Sequence, residues 1–218
     1  SRPACGAHRP DMGAFWYRKA LLMCDSLKMP HRKKISIYYG LSQGYLALRD
    51  YEQCDYYSEL ASKNYADMFP DEKHFYLNNR GNSYYYRGDY STAIGYFRKV
   101  VELVKDYPDM SWALNLSYLN LSDCFLQLNK TDSVVKYLEL CQPFFEELGS
   151  TTALYYIDTQ KIELALQRKD FAEARRLLTM SKASPEIDAD MIHIRNKYLQ
   201  QFYEETGNYR QAYDYLKE

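Results

Sequence analysis

Gly88-Asp89-Tyr90-Ser91-Thr92-Ala93 packs the end of one helix and the start of another into six residues. The glycine stands where a helix stops and the chain turns, a place that favours the left-handed backbone glycine adopts at little cost. The aspartate can accept a bond from a free amide of the next helix's first turn. The small residue that follows lets two paired helices approach closely, and the aromatic before it plugs the gap between successive pairs. The phrase returns as Asp50-Tyr51-Glu52-Gln53-Cys54, as Lys169-Asp170-Phe171-Ala172-Glu173-Ala174 and as Gly207-Asn208-Tyr209-Arg210-Gln211-Ala212. A degenerate copy, Asn129-Lys130-Thr131-Asp132-Ser133-Val134, lies between; there Asn129 replaces the glycine and Thr131 is the candidate cap. The small positions 54, 93, 134, 174 and 212 are separated by 39, 41, 40 and 38 residues. One further interval towards the start reaches Gly13. Near-equal intervals of this length are the mark of a repeat array.

A second set of helices lies between these phrases, with apolar spacing of three and four. Tyr38, Leu41 and Tyr45 recur as Leu77, Gly81 and Tyr84 and as Tyr118, Leu121 and Phe125. Leu199 and Tyr203 are the last copy, and Asp158, Ile162 and Ala165 the weakest. Pro30, Pro70, Pro108, Gly149 and Pro185 mark the far ends of the pairs. The spacing predicts helices near 11–28, 31–48, 51–68, 71–87, 90–106, 109–128, 131–148, 150–168, 171–182, 185–206 and 209–218, and no strand. The fold is therefore expected to be all-α, a right-handed superhelical solenoid of antiparallel helix pairs. Residues 1–10 form an extended or disordered N-terminal segment in this reading. Residues 11–218 form one repeat domain, with a half repeat at 11–28 and pairs at 31–68, 71–106, 109–148, 150–182 and 185–218. The array starts within a half repeat and stops in a helix, as a piece of a longer protein would.

Composition narrows the function classes. The 218 residues carry 28 basic and 29 acidic side chains, so no strong basic excess invites nucleic acid or an anionic membrane. No apolar run approaches the roughly 20 residues that span a bilayer. The 24 tyrosines suit half-buried seams and binding surfaces, having an apolar ring and a polar tip. The five cysteines are odd in number and widely spaced, and they read as small buried hydrophobes rather than a disulfide framework. His8, His31, His74 and His193 are isolated and read as surface residues. No metal, cofactor or catalytic constellation can be assembled from spacing, and no phosphate-binding glycine loop occurs.

Leu77, Gly81, Tyr84, Ala93 and Phe97, with Tyr38, Leu41, Tyr45 and Ala61, resemble the tetratricopeptide repeat phrase, and the resemblance runs over residues 11–218. Two departures stand out: the period exceeds the usual length of about 34 residues, and Arg80 occupies a normally apolar place. Lengthened repeats of this kind look like those of bacterial regulatory proteins, including peptide-sensing regulators and sensor ectodomains. The resemblance implies a non-enzymatic scaffold that binds another protein or an extended peptide. It would be the sensory or interaction segment of a larger transcription or signalling regulator. The implied compartment is cytoplasmic, or periplasmic for a sensor ectodomain. The alternative is a structural or homo-oligomerising module.

In that family the first helices of successive pairs line a concave groove. By the repeat offset, the groove residues here are Tyr39, Gln43, Asn78, Asn79, Asn82, Tyr86, Asn120, Asp123, Gln127, Gln160 and Glu163. The row is rich in carboxamides, each offering donor and acceptor to an extended backbone. Asn79, Asn82, Asn120 and Asp123 are expected to form one polar patch. The lysines and arginines with which related scaffolds clamp a terminal carboxylate are missing from positions 39, 43, 78 and 82.

Overall fold

The computed structural model describes residues 10–63, 65–180 and 189–216. The described residues contain eleven α-helices and no strand. These are α1 (Pro10–Ser26), α2 (Ile35–Ala47), α3 (Tyr51–Ser62), α4 (Pro70–Tyr86), α5 (Tyr90–Val104) and α6 (Ser111–Gln127). They continue as α7 (Thr131–Leu148), α8 (Thr151–Gln167), α9 (Phe171–Met180), α10 (Ala189–Glu205) and α11 (Tyr209–Leu216). Short 3-10 turns at His31–Lys34 and Pro108–Met110 lead into α2 and α6. The third helix stops at Ser62, short of the expected residue 68, and a turn at Tyr65–Asp67 follows. That turn lets Met68 fold back into the buried cluster of Ile35, Tyr38 and Ala61. The expected N-terminal segment up to residue 9 and the expected helix start at Pro185 lie outside the described residues.

The recurring phrase performs as its chemistry requires. Gly88, Gly149 and Gly207 adopt φ of 79°, 64° and 78°, and Asn129 takes the same left-handed conformation at 55°. Arg49 and Lys169 do so without glycine or asparagine, at 60° and 57°. Asp50, Asp89 and Asp170 each accept a bond of 3.1 Å from the amide three residues on, and Asn208 accepts one of 3.5 Å. Thr131 does not cap. Lys130 holds the cap position of α7 without a side-chain bond, and Thr131 is already inside the helix.

The chain divides into two compact units, one running to Ser117 and the other from Tyr118. In the first, α2 pairs with α3 and α4 with α5, and α1 packs against α2. In the second, α8 pairs with α9 and α10 with α11, and α7 packs with α8 and the second half of α6. The small positions Cys54, Ala93, Val134, Ala174 and Ala212 are all buried. Gly13 is different: a side chain there would meet open space. Gly81 allows the closest approach of the α4–α5 pair, since an added Cβ would sit 2.5 Å from the Phe97 ring.

Each unit repeats one ring pair. Tyr45–Tyr57, Tyr84–Tyr96, Phe125–Tyr137 and Tyr203–Tyr215 stack within their hairpins at centroid distances of 5.7, 5.5, 5.6 and 5.8 Å. Such pairs contribute about 0.5–1.5 kcal/mol beyond their buried area. They occupy one register position in the first helix and one in the second. In the α8–α9 hairpin the same positions hold Ala165 and Leu177, which join the buried cluster there.

Arg80 departs from the apolar pattern because it closes a notch between α3 and α4. Its guanidinium donates to Asp55, and also to the Tyr84 hydroxyl at 3.0 Å, while Arg87 reaches the other Asp55 oxygen at 2.7 Å. Charged groups in such half-buried places are tolerated when paired in this way. Cys54, Cys124 and Cys141 are buried free thiols, as a hydrophobic role requires, and burial pushes the Cys141 thiol up to about 12; Cys24 is only half-buried, and Cys5 lies outside the described residues. His74 corrects the surface reading of the histidines. It is buried against Phe75 at 5.0 Å, with its Nε2 unpartnered, and burial lowers its pKa. No helix among the described residues is long and apolar enough to cross a membrane.

Candidate binding surface

The first unit builds its candidate surface on a buried seam. Asn79 of α4 donates Nδ2 to Ser42 Oγ of α2 at 2.5 Å and is only 3% exposed. Ser42 Oγ lies 2.6 Å from Ser58 Oγ and 3.0 Å from the Cys54 carbonyl oxygen, so the bond ties two first helices to α3. Asn79 is therefore a stitch between helices, not a group presented to a ligand.

Above this seam α2 and α4 turn a stripe each towards solvent. The α2 stripe carries Tyr39 and the exposed Gln43; the α4 stripe carries Phe75, Asn78, Asn82 and Tyr86 at helical spacing. Tyr39 and Phe75 meet at one end, 5.2 Å apart. At the other end the Arg49 guanidinium lies 4.0 Å from the Tyr86 ring centre, and the Tyr51 hydroxyl donates to the Tyr86 carbonyl at 3.2 Å. Phe75 and Tyr86 keep 42% and 49% of their surface open. Burial pushes the Tyr39 phenol up to about 12, with Tyr17 nearby acting in the same direction, so it stays a neutral donor. The surface is thus a floor of amides with aromatic rings at both ends, chemistry suited to an extended backbone with apolar side chains.

The corresponding row of the second unit is knitted into itself. Gln160 of α8 is 3% exposed, accepts from the Ser122 hydroxyl and donates to the Leu119 carbonyl at 3.2 Å. Gln167 donates to the Leu126 carbonyl at 3.3 Å. Asp123, 6% exposed, accepts from the Tyr156 hydroxyl. Glu163 accepts from the Tyr198 hydroxyl and, at 3.4 Å, from Gln127. Burial raises the Glu163 pKa, and the neighbouring Asp123 charge adds to that, while Tyr198 and Gln127 oppose it. Asn120 and Gln127 are half-buried.

The residues of the expected patch fall in both units. Asn79 and Asn82 belong to the first unit, and Asn120 and Asp123 to the second. Asn79, Gln160 and Asp123 are buried bonding partners, which corrects their assignment to a ligand-facing row. Tyr39, Gln43, Asn78, Asn82 and Tyr86 remain on the α2–α4 surface. Phe75 and Arg49 complete it and were missed. Phe75 lies one turn before Asn78, a spacing that was readable in the sequence.

The tetratricopeptide repeat family model matches residues 74–107, which run from the second turn of α4 to just past the end of α5. No curated protein matches the sequence. Among solved structures the chain is similar to BtubC (BKLC) from P. vanneervenii, with 13% identity and a TM-score of 0.70, over 97% of this chain and 89% of that one. It is also similar to the apo form of RapI, with 14% identity and a TM-score of 0.65, over 94% of this chain and 69% of that one. At such identities the likeness is one of fold. Residues 74–107 are a tetratricopeptide repeat, set in an all-helical repeat chain of tetratricopeptide-like fold.

Proposed function

We propose that the chain is a protein-binding scaffold whose α2–α4 surface takes an extended segment of another protein. The observation that supports this is the amide floor of Gln43, Asn78 and Asn82 between the Tyr39–Phe75 and Arg49–Tyr86 contacts. Amides pair with a peptide backbone whatever its sequence, and the rings at each end supply apolar purchase. Repeats of this family generally act as interaction scaffolds and not as catalysts. In this reading the chain is the sensory or interaction segment of a larger bacterial regulator of transcription or signalling. A partner captured with the isolated chain would be titrated against Asn82→Ala/Gln43→Ala and against the outward control Glu102→Ala. Two neutral hydrogen bonds at about 0.5–1.5 kcal/mol each predict roughly 5- to 150-fold weaker binding for the double variant. Full affinity in that variant, with loss in the control, would move the site off this surface.

One observation favours self-association as a second reading. Helix α1 exposes Phe15, Trp16, Leu22 and Met23, and Leu27 just past its end is exposed as well. Contiguous apolar surface of this kind often marks an interface. Light scattering at high micromolar concentration discriminates: a monomer there removes the oligomer reading.

A further inference from the structure

The notch that Arg80 closes in the first unit has a counterpart in the second, where the same register positions carry different side chains. The small positions Ala93 and Ala212 align α4–α5 with α10–α11, and Cys54 and Ala174 align α3 with α9. On that register Asp55 becomes Arg175, Arg80 becomes Leu199, and Arg87 becomes Thr206. The stacked pair Tyr84–Tyr96 is kept as Tyr203–Tyr215. The acid is thus replaced by a base, and the two arginines that filled the space by shorter neutral side chains.

The result is a cavity of about 710 Å³ between α9, α10 and α11, lined by Arg175, Leu199, Tyr203, Thr206 and Tyr215 among others. Its size is that of a ligand pocket rather than a packing defect. The Arg175 guanidinium lies 5.8 Å from the Phe202 ring centre, beside an apolar floor. A second guanidinium, that of the buried Arg195, is held at the lining by a 2.8 Å bond to the Leu178 carbonyl and lies 5.3 Å from the Tyr155 ring centre. None of the described lining residues is acidic. The first unit supplies its own carboxylate at this place, and among the described residues of the second no carboxylate lines it.

We propose that this notch receives a carboxylate of a partner polypeptide, which takes the place that Asp55 takes in the first unit. Arg175 supplies the planar fork that suits a carboxylate, and Leu199 and Phe202 take an adjoining apolar group. The proposal rests on the second unit alone and is independent of the α2–α4 surface.

The test uses the whole chain and three probes: the blocked peptide Ac-Gly-Glu-Phe-Gly-NH2, the same peptide with glutamine for glutamate, and inorganic phosphate. Calorimetry would be combined with the arginine Nε resonances. The glutamate peptide should bind saturably, shift the Arg175 resonance and weaken with added salt. Arg175→Ala, or the glutamine peptide, should weaken binding by roughly 10- to 150-fold, the range of a charge-assisted bond. Arg175→Asp/Leu199→Arg transplants the Asp55–Arg80 pair and should abolish binding while the chain stays helical. Equal binding of the glutamine peptide, an undisturbed Arg175→Ala variant, or tighter binding of phosphate than of the glutamate peptide would each overturn the proposal.

Discussion

Gly81 and Gly40 offer a matched pair of perturbations. Replacing either by alanine gains the same helix propensity, about 1 kcal/mol. The difference between them therefore isolates packing. At Gly81 the new methyl would lie 2.5, 2.8 and 2.9 Å from three atoms of the Phe97 ring, well inside the ~3.5–4.0 Å of a comfortable carbon contact. Phe97 has nowhere to go: it is 1% exposed, and Ala93 and Val100 beside it are fully buried. At Gly40 the obstructing atoms are the far end of Tyr17, as near as 2.4 Å, but that residue is 42% exposed and its side chain can swing into solvent. Overpacking a filled core costs about 1–3 kcal/mol. Gly81→Ala should thus be less stable than Gly40→Ala by about 1–3 kcal/mol, which is roughly 2–12 °C in melting midpoint for a chain of this size. Far-ultraviolet circular dichroism melts measure this directly. Adding Phe97→Leu should rescue Gly81→Ala, giving a double variant that loses less than the sum of the singles. Equal midpoints for the two glycine variants, or strict additivity with Phe97→Leu, would refute the packing argument.

Ala93→Leu should overpack the same hairpin and cost about 1–3 kcal/mol in urea melts, whereas Glu102→Ala on the exposed face should stay within about 0.5 kcal/mol. Asn79→Ala leaves the buried Ser42 side without its inter-helix donor. It should cost about 1–3 kcal/mol of stability, so any loss of binding would follow the melting curve, not precede it. Burial lowers the His74 pKa below its usual 6.5, so the native state resists a proton that the unfolded state accepts. Stability should be full above that value and fall as pH drops below it, and His74→Phe should flatten the profile between pH 7 and 5 in denaturant titrations.

The helix pairs were legible because the repeat phrase couples three local requirements: a left-handed turn, a cap and a small contact residue. Where one is met by an unexpected residue, the helices still form, as at Arg49 and Lys169, but the sequence gives no warning. The ring stacks were less visible. Their partners lie twelve residues apart on different helices, and no single-helix period joins Tyr84 to Tyr96. The candidate surface was legible only in part. One apolar stripe was assigned to each first helix, yet such a helix is touched both by its hairpin partner and by the neighbouring first helix. That second contact buries Asn79 and Gln160. Its signal was the small polar residues Ser42 and Ser122, which a hydrophobicity pattern passes over. The notch in the second unit needed structure altogether, because it comes from side chains that are shorter than those at matching positions elsewhere.

The most direct test of the proposed function asks which face of the first unit touches another protein in its native setting. A photo-crosslinking side chain placed at Asn82, on the α2–α4 surface, and separately at Glu102, on the outward face of α5, would be irradiated in cells that make the protein. Adducts with a second protein from position 82, lost when Tyr86→Ala is added and absent from position 102, are the predicted result. Adducts from position 102 with none from position 82 would contradict the account.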